Sequence, residues 1–124
     1  MPTTPDRILI ALAALAGGLG VAASAAAAHI PGADSLKTAA QFLLFHAPAI
    51  LALTGLAAAG LTHGIVTRIA AAALMLGLAL FSGDLALRAL SGHALFPAAA
   101  PSGGIVLMLG WLGAAVAACL PVRR

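Results

Sequence analysis

The sequence predicts an all-α fold: an integral membrane bundle of four antiparallel transmembrane helices with short loops, forming one domain over residues 1–124. Three observations predict it. The first is composition. Charged residues make up 7% of the chain and hydrophobic residues 63%, with a mean hydropathy of +1.14. An ordinary soluble domain carries roughly 25% charged residues, so the surface of this chain must face a second solvent, lipid. Disorder is excluded for the opposite reason, because disordered chains are polar and charge-rich. The second observation is where charge is missing. No charge falls between Arg7 and Asp34, between Lys37 and Arg68, between Arg68 and Asp84, or between Arg88 and Arg123. The third is the placing of helix breakers between the apolar stretches.

A hydrocarbon core of about 30 Å needs about 20 helical residues. Four segments fit, at about 8–28, 39–61, 69–90 and 103–121. The first turn is His29-Ile30-Pro31-Gly32-Ala33-Asp34-Ser35, and the second is Thr62-His63-Gly64. The third holds Ser91-Gly92-His93, Phe96-Pro97 and Pro101-Ser102-Gly103-Gly104. Proline and glycine clusters punctuate helices, and short connections leave neighbouring helices antiparallel. Helices are the expected spanning form, because lipid offers no partner to a free backbone group. A barrel would show segments of about ten residues with alternating polarity; Ile8 to Ala28 is one apolar block.

The first segment has a rival reading. Arg7, the apolar stretch and Ala25-Ala26-Ala27-Ala28 resemble a secretory signal with an A-x-A cleavage site. The block is longer than a usual signal core of about 7–15 residues, and its glycines suit helix packing, so a retained helix is expected. Orientation follows from basic residues near the helix ends. Arg7, Arg68, Arg123 and Arg124 share one side and Lys37 and Arg88 the other, which predicts cytoplasmic N- and C-termini. The net charge of +3 is spread thinly with no basic stripe, so nucleic-acid binding is not expected. Cys119 is the sole cysteine; no intrachain disulfide is possible, and it reads as a small hydrophobe.

Helix association in lipid relies on close van der Waals contact between small residues. Ala16, Gly20, Ser24 and Ala28 form one such row and Gly60 and Gly64 another, while Gly110 with Ala114, and Gly113 with Ala117, form rows on helix four. Pro101, Ser102, Gly103 and Gly104 lead into helix four. Ser102 is expected to cap it, and the glycines to allow close backbone contact. Trp111 falls mid-segment, as a packing residue whose indole N–H needs a partner.

The candidate site is an intramembrane polar cluster of His46, Asp84 and Arg88. Asp84 and Arg88 stand one turn apart on one helix face. Counting 1.5 Å per residue, Asp84 lies about 9 Å below the outer end of its helix and His46 about 10 Å below that of its own. The three are therefore expected at one level. Charged residues within a span point into a bundle or cavity. Two readings follow: a polar clasp pinning helices two and three, or a proton, ligand or substrate site, for which histidine is suited. His29, Gln41 and Ser82 are secondary candidates, with Ser82 and Gly83 placed for close approach. His63 and His93 fall in loops. No metal or other cofactor is expected, since no third strong ligand accompanies His29 and His46. No H-E-x-x-H, P-loop or G-x-S-x-G is present, so no enzyme is expected.

Several of these stretches carry a resemblance. Ala28-His29, Phe42 to Leu51 around His46, Leu80-Phe81-Ser82-Gly83, Pro101-Ser102-Gly103-Gly104 and Gly110-Trp111 occur in order across nearly the whole chain. They resemble the family known as domain of unknown function 423, small inner-membrane proteins that are YgdD-like or like transmembrane protein 256, and the resemblance implies a bacterial inner membrane as the location. The chain departs from the family pattern at Ser24-Ala25-Ala26-Ala27, at Phe42 and Leu43, and at Asp84, where the family usually has serine. The resemblance implies a four-helix integral membrane protein of uncharacterised function, and no enzyme. The expected role is therefore structural or accessory, with membrane lipids and a membrane-protein partner or a second copy as contacts. Proton-linked or small-molecule transport through the polar cluster is the alternative.

Overall fold

The structure is a computed structural model and describes residues 2–122. It is all-α, with four helices: α1 (Thr4–His29), α2 (Asp34–Ala58), α3 (Gly64–Ser91) and α4 (Ala99–Cys119). Each is long and apolar enough to cross a membrane, and the chain is a multi-pass membrane protein. Arg123 and Arg124, used above for orientation, lie outside the described residues.

Local chemistry sets four of the eight helix ends. At α1, the Thr3 hydroxyl accepts from the Asp6 N–H while the Asp6 carboxylate accepts from the Thr3 N–H, a reciprocal cap. At α3, the His63 ring accepts from the Val66 N–H. Gly60 and Gly92 follow α2 and α3 with φ of 72° and 76°, the left-handed conformation glycine adopts without a Cβ penalty. Gly60 and Gly64 therefore bracket a turn, and the expected packing row there is not formed. Pro48 sits inside α2. It has no N–H to donate to the Leu44 carbonyl, and its ring lies on the exposed face.

Two helices start earlier than the apolar count suggests. α2 begins at Asp34 rather than near residue 39 because Asp34, Ser35, Lys37 and Thr38 extend it as a polar first turn. α4 begins at Ala99 rather than 103. Pro101 falls in its first turn, where a missing N–H leaves nothing unpaired. Ser102 lies inside the helix, so the capping role expected of it is not realised.

Helices pack in chain order, α1 on α2, α2 on α3 and α3 on α4, with α1 touching α3 more lightly. The core is made of Leu9, Ala13, Ala16, Ala47, Ile50, Ala71, Leu74, Leu78 and Leu107. The closest approach joins α3 to α4. A Cβ on Gly103 would stand 2.5 Å from the Phe81 nitrogen and 2.8 Å from the Gly77 carbonyl, and one on Gly77 2.8 Å from the Leu107 nitrogen. Gly110 is likewise pressed against Leu74, whereas Gly104 has only an ordinary contact with Phe81. On α1, Ala16 and Gly20 are buried but Ser24 and Ala28 are exposed. That small-residue row thus packs along half its length.

Candidate functional site

Asp84 is fully buried on α3. Its carboxylate accepts from Arg88 Nε at 2.9 Å, from the Leu95 N–H at 2.9 Å and from the Ala100 N–H at 3.2 Å. The last two partners explain its position. The residue before α4 is Ala98, which has no side chain to cap the helix and takes φ of 66°. Asp84 reaches across from α3 and supplies the missing acceptor, with its negative charge at the positive end of the α4 dipole. Arg88 is half exposed and covers the outer side of the carboxylate. Gly83 beside it makes only an ordinary contact with Leu95.

His46 does not join this group. Its Nδ1 lies 2.9 Å from the Phe42 carbonyl oxygen, and its Nε2 lies 3.1 Å from Trp111 Nε1. The cause is depth. With α2 starting at Asp34, His46 lies about 18 Å along it, whereas Asp84 is about 10 Å from the end of α3 at Ser91. Trp111 lies as far from Ala99, at the head of α4, as His46 lies from Asp34. The expected clasp between His46 and the Asp84–Arg88 pair is therefore replaced by two separate sites. The indole N–H expected to need a partner has one in His46. Phe42 stacks on the imidazole with ring centroids 5.6 Å apart and packs on Phe81 at 4.4 Å.

Among the secondary candidates, the Ser82 hydroxyl donates to the Ala39 carbonyl at 3.1 Å, buried between α3 and α2. Gln41 and His29 are exposed and join neither site. Of the residues leading into α4, Gly103 is the tight contact with α3, and Pro101 shapes the first turn.

A third polar site joins α1 to α3. Asp6 is fully buried, and Arg68 binds it through Nε at 2.6 Å and through a terminal nitrogen at 3.0 Å. This two-pronged ion pair ties the start of α1 to the start of α3, 62 residues on. The T-x-x-D spacing of Thr3 and Asp6 signals the cap; nothing local signals the arginine. Beyond it α1 and α3 stand apart, leaving an apolar groove of about 570 Å³ between Leu15 and Leu19 on one wall and Met75 and Ala79 on the other, with Leu36 and Leu43 from α2 alongside. Among the described residues, no buried side-chain nitrogen or oxygen lacks a hydrogen-bond partner.

These sites sit in a chain whose residues 10–104 match the family model described as protein of unknown function DUF423. The chain belongs to that family. The match takes in His46, Arg68, Asp84, Arg88, Gly77 and Gly103, and leaves Asp6 and Trp111 outside its limits. No curated protein and no solved structure matches the chain.

Proposed function

We propose that this DUF423 member is a structural or accessory subunit of a membrane assembly, acting through contacts with lipids, with a membrane-protein partner or with a second copy, and not as an enzyme. The observation that carries the reading is the use made of the buried polar side chains. Asp6, Asp84, His46 and Ser82 each bind a partner inside the chain. No buried polar side chain among the described residues is left over for a substrate. The faces turned outward are instead apolar, with Leu15, Leu19, Ile69, Met108 and Leu112 exposed. Transport through a cluster of His46, Asp84 and Arg88 loses its basis, because His46 bonds elsewhere. The proposed setting is a bacterial inner membrane; the excess of Arg7, Arg68, Arg123 and Arg124 over Lys37 and Arg88 favours cytoplasmic termini through the basic-residue rule.

Extraction at native expression in mild detergent tests the role. The expected result is a stoichiometric membrane-protein partner, or a second copy, held on the apolar faces. A lone protomer that catalyses a reaction or moves a solute in vesicles overturns it. Reporter fusions at the C-terminus test the orientation, and a periplasmic C-terminus reverses it.

A further inference from the structure

We propose that the His46–Trp111 hydrogen bond is a proton-operated latch between α2 and α4, closed when the imidazole is neutral and opened when it takes a second proton. The argument begins with donors and acceptors. A carbonyl oxygen only accepts, so His46 Nδ1, 2.9 Å from the Phe42 oxygen, carries the hydrogen. An indole N–H only donates, so His46 Nε2, 3.1 Å from Trp111 Nε1, accepts through its lone pair. Both ring nitrogens are committed, and the geometry permits one neutral tautomer.

The second proton has one place to go, Nε2. There it meets the indole N–H, and two donors face each other with no acceptor between them. The imidazolium and the His46–Trp111 bond therefore exclude one another. The Nδ1 bond to Phe42 survives, so the imidazole stays anchored to α2 and the indole is the group that moves. Trp111 is 47% exposed, so the released ring has room to turn outward. Phe42, already stacked on the imidazole, can hold the cation against its face.

The latch matters because of what it joins. α4 packs on α3, and among the described residues its one hydrogen bond to α2 is this one. Opening it frees α4 from α2 while the glycine contacts to α3 remain. No other ionisable group takes the proton's place at this point. On α1 the ionisable side chains are Asp6, Arg7 and His29, at its two ends. On α3 they are Arg68, paired with Asp6, and Asp84 with Arg88, paired with each other. On α4 there is Cys119 alone, at its end, and on α2 Asp34 and Lys37 in the first turn. None of them bonds to His46.

Trp111 is the sole tryptophan, so its fluorescence reports the latch directly. The experiment is a titration of the full chain in lipid nanodiscs from pH 8 to pH 5, in a variant carrying His29→Gln, His63→Gln and His93→Gln. The expected result is a reversible one-proton shift in the emission of Trp111. It should vanish when His46→Gln is added, since a glutamine oxygen accepts the indole N–H but does not titrate. Emission that stays constant across the range, or a shift that persists with His46→Gln, overturns the proposal. Nitrogen NMR of the single imidazole at pH 8 gives a reading that does not depend on the glutamine variant folding. Hydrogen on Nδ1 is expected, and hydrogen on Nε2 overturns the latch.

Discussion

Asp6 and Asp84 are buried to the same degree, and each binds an arginine, at opposite ends of the helices. Their surroundings set them apart. Asp6 faces Arg68 with two nitrogen–oxygen contacts and receives one further bond from its own Thr3. It is an ion pair between helices. Asp84 receives one contact from Arg88 and two from backbone N–H groups of the α3–α4 connection. It is a cap supplied from a neighbouring helix, with an arginine as cover. The same residue type therefore stabilises one end through a charge partner and the other through backbone donors. The difference teaches that a charged residue within an apolar segment need not mark a functional site, since a helix terminus also requires an acceptor.

Substitutions can break this contrast. The largest effect is expected at Asp84. Asp84→Ala leaves the Leu95 and Ala100 N–H groups without an acceptor and should abolish or severely lower thermal stability in detergent, read by circular dichroism. Asp84→Asn should rescue little, because the two N–H groups use different carboxylate oxygens and an amide has one. Arg88→Ala should cost less than about 1 kcal/mol, as expected of a half-exposed ion pair. If Arg88→Ala proves as damaging as Asp84→Ala, the charge pair and not the cap holds that end.

A smaller effect is expected at the other end. Arg68→Ala leaves the Asp6 carboxylate buried without its charge partner, at a cost of about 3–5 kcal/mol. Replacing both, with Asp6→Leu and Arg68→Leu, should recover much of that loss, because apolar residues often substitute well for a buried pair. The same melting experiment decides it; a double variant worse than Arg68→Ala would mean that the pair contributes more than apolar packing. The smallest effect is expected at Ala98. Its left-handed φ of 66° is strained by about 1–2 kcal/mol for a residue with a Cβ. Ala98→Gly should therefore be neutral or slightly stabilising, and a marked loss of stability would mean that the Ala98 methyl has a packing role.

How far each feature was legible depended on the distance over which its partner lies. Asp84 and Arg88 are neighbours at one helical turn, and their pairing follows from the spacing alone. The Leu95 and Ala100 N–H groups lie 11 and 16 residues further on, across a turn whose path no local pattern sets. Arg68 is 62 residues from Asp6, and its only visible part in the sequence was a basic residue at a helix start. For Trp111 the need for an acceptor was legible, but the identity of that acceptor was not. His46 was placed at the wrong level because the count began at the apolar boundary near residue 39. The helix begins at Asp34, where a polar first turn extends it without adding apolar residues. Gly103 was legible as a site of close contact, while its counterpart Gly77 was hidden in a long apolar run.

Composition and spacing were sufficient for the four helices, their apolar character and their short connections, because lipid forces each spanning segment to satisfy its own backbone bonds. That requirement acts within each segment, so it is written locally. Which side chains meet across helices was decided only by tertiary packing. It depends on the depth at which each helix begins and on how closely glycines let two backbones approach. Shifts of a single turn in those quantities separate His46 from Asp84, bring it to Trp111, and place Asp84 at the head of α4.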